Sequence, residues 1–330
     1  MALTVLVPEL LVPGAVEGLR LPALETLLAR ANATRVGARG AAAWLASAWG
    51  LPVPLPVAAL TLAADGAPRE GRWLRADPVH LQVEGDELVL RDTGVLDISA
   101  EEAAALLDSL RALFATDGLE FVAPVPERWY VRVPDGEVPV TTSLDVALDR
   151  NIFGLLPRGS GKLNWRSAIT EVQMLFAGHA VNHARETAGR PAVNSVWFWG
   201  EGDLPAPTSP AFSTVFADDA LAVGLARWSG VQAQPLAEAF TPRGTSDGAG
   251  EALVVFDQLV APRRSGNLDA WRAAAESLDA LCFAPLASAL ARIGDVRIVL
   301  PGARDTAVFA LGAHTRWKFF RTRQPVASHA

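Results

Sequence analysis

The segment 178–186 contains the first residues whose types and spacing could carry chemistry; it reads Gly-His-Ala-Val-Asn-His-Ala-Arg-Glu. On a helix, four of its polar residues share one face because they are spaced i, i+3, i+4 and i+7: His179, Asn182, His183 and Glu186. Two histidines four residues apart can bind a metal ion, and the glutamate one turn later supplies a third ligand. The same spacing suits a polar face that packs on a neighbouring lobe, or one that contacts a ligand.

A second group lies in the segment 73–80, Trp-Leu-Arg-Ala-Asp-Pro-Val-His, which the proline predicts to be extended. Arg75 and Asp77 are two residues apart and therefore point to the same side of an extended chain. They either form a structural ion pair with each other, or Arg75 binds an anion through its guanidinium group.

A third group begins at Asn194 and reads Asn-Ser-Val-Trp-Phe-Trp-Gly-Glu-Gly. Its run of apolar residues predicts a strand that is buried on both faces, with Trp197 and Trp199 in the core. The glycines Gly200 and Gly202 lie where the strands of open α/β sheets end and ligands bind. No third glycine follows in register, so the pattern does not predict a dinucleotide site.

Composition limits the protein class. The 330 residues carry a formal net charge of −7, half of them are hydrophobic, and 20% are charged. Such a chain has enough apolar surface to fold, and its acidic balance argues against a nucleic-acid partner. The single cysteine, Cys282, excludes an intrachain disulfide and a cysteine-based zinc site. The sequence has neither a signal-peptide pattern nor an uncharged apolar stretch of about 20 residues, so we expect a cytoplasmic protein without a membrane span.

The hydrophobic patterning predicts an α/β fold. Strands at 3–7, 252–256 and 296–300 alternate with helices at 21–30, 41–49, 218–229 and 269–293. A strand is also expected at 57–62, and one helix at 167–186. Hairpin-like segments between about 60 and 150 interrupt this alternation. We therefore predict a doubly wound, largely parallel sheet with an inserted α+β lobe. Residues 1–60 and 190–330 form the core, and residues 61–189 form the lobe.

Three stretches resemble motifs of a known family: 75–81 (Arg-Ala-Asp-Pro-Val-His-Leu), 179–200 (with His179, Asn182, Arg185 and Asn194) and 223–230 (Val-Gly-Leu-Ala-Arg-Trp-Ser-Gly). The family is that of the archaeal-type cofactor-independent phosphoglycerate mutases, which have the alkaline-phosphatase-like fold. Within it, the chain most resembles a proteobacterial offshoot of RpfE-type regulatory proteins. The resemblance is specific over 73–230 and looser over 1–60 and 250–325.

The resemblance implies a particular reaction centre. Active members use two divalent metals and a Ser or Thr nucleophile that carries the phosphate. Two cations neutralise the phosphoryl oxygens and lower the pKa of the nucleophile. If this centre were present, manganese or zinc would be the expected cofactor.

The sequence departs from the family where that centre would stand. After the first strand, Pro8-Glu9 replaces an Asp-Gly pair, and the Ser-Asp pair that opens a helix falls near residues 39–42, Arg-Gly-Ala-Ala. The stretch 256–267 contains Asp257 but no histidine, and Pro301-Gly302 stands where the family has Asp-His. The remaining candidates for metal ligands are Glu9, Asp257 and His314. They are too few to hold two divalent ions, so we expect no metal cofactor.

These observations lead to the hypothesis of a pseudoenzyme with a regulatory or ligand-binding role. Its ligand is a small phosphorylated or carboxylate metabolite, or a protein partner. The residues expected to bind it are those the family motifs retain: Arg75, Asp77, His179, Asn182, Arg185 and Asn194.

Two alternatives stay open. The first is an active phosphomutase or phosphatase with a rearranged or single-metal site built from Glu9, Asp257 and His314. The second is a protein-interaction module without a small ligand, which would use exposed tryptophans or the basic segment 316–323.

Overall fold

The computed structural model describes residues 2–66, 71–91, 96–136, 139–159, 161–204, 206–207, 209–239, 250–312, 315 and 322–330. The strands are β1 (Ala2–Leu6), β2 (Asn32–Val36), β3 (Arg72–Glu84), β4 (Glu87–Arg91), β5 (Glu120–Val125), β6 (Arg128–Val133), β7 (Ser195–Gly202), β8 (Thr214–Phe216), β9 (Ala233–Gln234), β10 (Glu251–Val255), β11 (Asp295–Pro301) and β12 (Thr306–Leu311).

The helices are α1 (Pro22–Arg30), α2 (Gly40–Ala48), α3 (Val57–Asp65), α4 (Ala100–Leu113), α5 (Leu144–Ala147), α6 (Trp165–Ala177), α7 (Ala180–Thr187), α8 (Ala220–Trp228), α9 (Val260–Arg264), α10 (Leu268–Leu278) and α11 (Ala284–Ile293). A π-helical turn, Asp279–Phe283, joins α10 to α11.

The chain divides into two compact units, Met1–Pro54 with Pro207–Ala330, and Leu55–Ala206. These boundaries differ from the predicted ones at 60 and 190. The predicted lobe gains α3 at one end and β7 at the other. The physical reason for the second change is that β7 pairs antiparallel with β3, from Trp73 opposite Gly202 to Val79 opposite Ser195.

The first unit contains a seven-stranded sheet in the order β2-β12-β11-β1-β10-β8-β9. Strand β1 lies parallel to β10 on one side and to β11 on the other, with Val5 level with Val254 and Ile298. Strands β8 and β9 continue the parallel part, and β12 and β2 add an antiparallel edge. The largely parallel α/β fold predicted from the sequence is confirmed.

Helices cover both faces of this sheet. On one face, α1, α10 and α11 pack on the strands through a common core that includes Leu24, Trp271, Leu286 and Ile298. On the other, α2 contacts β11 and α8 contacts β8. Residues of β1 that point to opposite faces, such as Val5 and Leu6, are therefore equally buried.

The helical run Leu268–Leu290 is long and apolar enough to cross a membrane by length and composition. Its buried side packs in the sheet core through Trp271, Leu278 and Leu286. Asp279, in the π-helical turn, accepts hydrogen bonds from the amides of Ala23 and Leu24, at 3.0 and 2.7 Å. This carboxylate caps the first turn of α1, whose own N-cap side chain makes no capping bond. The run is thus fixed to the protein by both apolar packing and a buried polar contact.

The second unit is built on the long strand β3, which pairs with β6 near its start, with β4 near its end and with β7 along its other edge. Helices α4 and α6 pack on this sheet through a core that includes Leu106, Leu110, Val172 and Phe176. Helix α4 begins with the capping box predicted by Ser99 and Glu102, with each side chain bonded to the other residue's backbone.

Two secondary-structure predictions were wrong. Residues 57–62 form part of α3 rather than a strand, because a short apolar run has no distinguishing period and its alanines favour a helix. The single helix expected at 167–186 is two helices, α6 and α7, which are separated at Gly178 and His179.

Candidate functional site

Four parallel strands end at the same edge of the sheet in the first unit. Strands β8, β10, β1 and β11 are neighbours in that order, and Asp218, Asp257 and Glu9 follow the first three. Open α/β sheets bind ligands at the carboxyl ends of such strands. We therefore consider this edge first, and call it the carboxyl edge.

Glu9 keeps a backbone conformation that suits glycine. Its φ is +59°, in the left-handed region, and its carbonyl accepts a hydrogen bond from the indole of Trp271 at 2.8 Å. The family resemblance aligns Glu9 with the glycine of the Asp-Gly pair and Pro8 with the aspartate. Pro8 thus stands where the resemblance implies a metal ligand, and the proline side chain has no donor atom for a cation.

Two further segments of the predicted reaction centre are adjacent in space. Helix α2 begins at Gly40, and the Gly40 amide donates a hydrogen bond to the carbonyl of Gly302 at 3.2 Å. The resemblance places the nucleophile near the first of these residues and an Asp-His pair near the second. The structure brings the two segments together, but their residues offer neither a hydroxyl nor a carboxylate nor an imidazole.

Asp257 lies half-buried at the carboxyl edge, where the neighbouring acids are Asp218 and Asp219. Burial, followed by the charge of Asp219 and then that of Asp218, raises the pKa of Asp257 to about 6. Asp219 also caps α8 by accepting from the Ala222 amide at 2.8 Å, and Asp218 accepts from the Leu236 amide at 3.2 Å. The charges of Asp218 and Asp219 thus disfavour the charged form of Asp257, and both residues also accept hydrogen bonds from the backbone.

The residues at the carboxyl edge do not fit a pair of divalent metals. Within the ranges that the structure describes, no group of three or more His, Cys, Asp or Glu side chains is disposed to hold a metal ion. Glu9 and Asp257 of the predicted set follow β1 and β10, and His314 lies outside the described residues. A dimetal centre needs several carboxylates and imidazoles that converge on one point.

The helix face predicted from 178–186 does not exist as one surface. His179 is the N-cap of α7: its Nδ1 accepts from the Val181 amide at 3.2 Å, and its Nε2 lies 3.1 Å from the hydroxyl of Ser109. His183 and Glu186 are both exposed, with 3.9 Å between Nδ1 and Oε2. Both ring nitrogens of His179 are thus occupied, and the break at Gly178 explains why the i, i+4 metal pair fails.

Asn182, Arg185 and Asn194 hold backbone segments together in the second unit. The amide of Asn182 bonds to both the N–H and the carbonyl of Val193, and that of Asn194 does the same with Leu81. The fully buried Arg185 donates to Glu102 at 2.7 Å and to two backbone carbonyls. Three of the predicted ligand-binding residues therefore use these polar groups to fix the fold.

Arg75 and Asp77 form a buried ion pair. The Nε and Nη2 atoms of Arg75 both donate to Oδ1 of Asp77, at 3.0 and 2.6 Å. Trp199 donates its indole N–H to Oδ2 of the same carboxylate at 2.7 Å. The guanidinium group also lies over the rings of Tyr130 and Trp199, at 5.3 and 5.4 Å from their centroids. Cation–π contacts and three hydrogen bonds therefore define one conformation for this pair.

The surroundings of Arg75 include residues that sequence reasoning missed. The hydroxyl of Tyr130 donates to Asp65 at 2.7 Å, and burial raises the pKa of this phenol. Trp199 is only partly buried, whereas the alternating pattern predicted a core residue. Gly200, with φ +70°, packs so closely on α3 that an added Cβ would lie 3.2 Å from Val57. The glycine predicted to approach a ligand instead allows this contact.

We expect Glu9→Gly to raise the free energy of unfolding by about 0.5–1 kcal/mol, because glycine adopts the left-handed conformation without the steric cost of a Cβ. Urea unfolding measures the change. Glu17→Gly, at another exposed position between β1 and α1, is the matched control. It should lower the free energy, since Glu17 has an ordinary φ. A loss of stability in both variants would contradict the strain at Glu9.

Comparison with known proteins relates this architecture to one enzyme family. No family model matches the chain. A probable 2,3-bisphosphoglycerate-independent phosphoglycerate mutase of Geobacter sulfurreducens is 26% identical over 262 residues, which span 73% of this chain and 65% of that protein. The corresponding mutase of Methanosarcina mazei is 26% identical over 141 residues, 41% of this chain and 35% of that protein. The match thus spans less than two thirds of each relative's length.

The fold has a solved counterpart. The PH0037 protein of Pyrococcus horikoshii superposes with a TM-score of 0.60 and 12% sequence identity, over 94% of this chain and 87% of that one. It shares the α/β architecture described above. With the sequence matches, these comparisons show that the chain is a homologue of the cofactor-independent phosphoglycerate mutases, with a mixed α/β fold around a largely parallel sheet.

Proposed function

We propose that this protein is a phosphoglycerate-mutase-like pseudoenzyme, which has lost the dimetal phosphoryl-transfer centre and has a regulatory, ligand-binding role of the RpfE type. The proposal rests on one observation at the carboxyl edge. Where the family has its metal ligands and nucleophile, this chain has Pro8, the adjoining Gly40 and Gly302, and an aspartate with a raised pKa. The relatives are named as mutases, so the proposal is that their scaffold persists here without their chemistry.

The proposed ligand is a small phosphorylated or carboxylate metabolite. Arg75 supports this part of the proposal, because no described residue accepts a hydrogen bond from its Nη1. Arg185, Asn182 and Asn194 become supporting residues rather than ligand contacts, since their polar groups hold backbone segments of the second unit together. A protein partner is a further part of the regulatory role; of the basic segment 316–323, residues 316–321 lie outside the described residues.

We expect the purified protein, after reconstitution with manganese or zinc, to retain less than a tenth of an equivalent of metal. Mutase and phosphatase assays should give no turnover above the buffer rate, because no pair of ions neutralises the transferred phosphoryl group. The Geobacter sulfurreducens relative, treated identically, is the positive control. Stoichiometric metal together with turnover would refute the pseudoenzyme.

A second candidate function is an active phosphatase or phosphomutase with a single metal. The observation in its favour is the raised pKa of Asp257, because a cation at the carboxyl edge would stabilise the charged form of this carboxylate. The two candidate functions predict different effects of manganese on the stability of a variant in which Asp257 has lost its charge.

We expect Asp257→Asn to raise the free energy of unfolding at pH 7.5 by about 1–2 kcal/mol. The folded-state pKa of about 6 lies above the ordinary value of 3.8. The carboxylate therefore costs stability once it is charged: the free energy of unfolding falls as pH rises from about 4 to 6. Unfolding curves measured from pH 3.5 to 7.5 should show this fall in the natural protein and not in the variant.

The same variant distinguishes the two functions when it is measured with 1 equivalent of manganese. If the protein binds a single metal, manganese raises the free energy of unfolding of the natural protein, and the Asp257→Asn substitution abolishes this increase. On our proposal, manganese shifts neither protein, and the variant remains the more stable of the two at pH 7.5.

A further inference from the structure

Arg75 has one guanidinium edge that the protein does not use. Asp77 occupies the edge formed by Nε and Nη2, and no described residue accepts a bond from Nη1. The side chain is 12% exposed, and Nη1 is not among the buried atoms that lack a partner. The unused edge therefore faces solvent, while the rest of the guanidinium group is enclosed.

Trp199 and Tyr130 restrict how that edge can move. Trp199 acts twice, since its ring lies under the guanidinium group and its N–H holds the second oxygen of Asp77. The Tyr130 ring contacts the guanidinium group as well, and its hydroxyl is fixed by Asp65. Asp65 in turn accepts from Nε of Arg128 at 2.8 Å. An arginine held in this way loses little side-chain entropy when it binds a ligand.

We infer that Trp199 and Tyr130 are positioning residues for an oxyanion subsite at Nη1 of Arg75. This inference rests on the proposed function, because it names the chemical class of the ligand at the same arginine. The subsite takes one oxygen of a phosphate or carboxylate group through a charge-assisted hydrogen bond. Asp77 occupies the fork formed by Nε and Nη2, so the ligand is bound from the side of Nη1.

Because of Trp199, anion binding depends on the orientation of the Arg75 guanidinium group and not on its positive charge alone. A lysine at position 75 would retain the positive charge, but it has no planar group to lie over two rings and no second nitrogen to hold Asp77. A phenylalanine at position 199 would retain a ring under Arg75, but would leave Oδ2 of the buried Asp77 without its donor. The first change removes the guanidinium group, and the second removes one of the bonds that hold it in place.

The test is titration calorimetry of the full chain with inorganic phosphate at constant ionic strength, repeated with acetate. We expect the natural protein to bind phosphate and both Arg75→Lys and Trp199→Phe to weaken binding by about tenfold or more. Acetate binding in place of phosphate binding would assign the subsite to carboxylates. Either anion supports the inference, whereas binding of neither would overturn it.

Two controls separate positioning from general loss of structure. Trp197→Phe, on the same strand and fully buried, loses an equivalent indole bond, to the carbonyl of Thr142, and should bind the anion within twofold of the natural protein. Arg72→Lys removes an exposed arginine that pairs with Asp203 and should also bind normally. If Trp199→Phe binds as tightly as Trp197→Phe, Trp199 has no positioning role.

The outcome is independent of the proposed function's own test. Stoichiometric metal with turnover would refute the pseudoenzyme whatever the affinity for phosphate. Failure of Arg75→Lys to weaken binding, in a protein without metal or turnover, would overturn the oxyanion subsite alone. Melting temperatures of all variants without phosphate show whether each is folded.

Discussion

Parallel pairing of β1 with β10 on one side and β11 on the other decides where chemistry could occur in the first unit. The pairing is continuous from Ala2 to Leu6, so the chain leaves all three strands at one level. Any residue placed directly after these strands contributes to the same edge. A few residues at that edge therefore decide whether the first unit can bind a metal or catalyse a reaction, whereas the rest of the unit supports their positions.

The backbone at that edge has two well-defined features. The turn after β1 holds a non-glycine residue in a left-handed conformation, and the start of α2 still bonds to the segment after β11. The first feature has a steric cost, and the second is a specific contact between two segments of the sheet edge. Pro8, Gly40 and Gly302 supply no ligand atoms from their side chains, and this is the basis of the proposed loss of the dimetal centre.

Much of the first unit could be predicted from the sequence because its signals are local. The runs 3–7, 252–256 and 296–300 are apolar except for Thr4 and Arg297, and they lie within one residue of β1, β10 and β11. Strand β2 was missed because all five of its residues are exposed, so no hydrophobic pattern identifies it. Its place in the sheet depends on β12, which is 270 residues away in the chain.

The polar residues show the limit of such reasoning. The family motifs suggested ligand contacts for Asn182, Arg185 and Asn194, but their partners are Val193, Glu102 and Leu81, and the last two lie 83 and 113 residues away. Only the pairing of Arg75 with Asp77 joins residues close in sequence, and it was one of the two predicted outcomes. The aromatic groups that hold this pair come from β6 and β7, which local spacing does not relate to β3.

The most direct test of the central claim is anomalous diffraction from crystals soaked in manganese chloride at neutral pH. The account predicts no pair of anomalous peaks beyond the carboxyl ends of β1, β10 and β11. Two peaks about 4 Å apart at this edge, bound by Asp257 together with other side chains, would contradict it, because that is the separation of ions in a two-metal catalytic site.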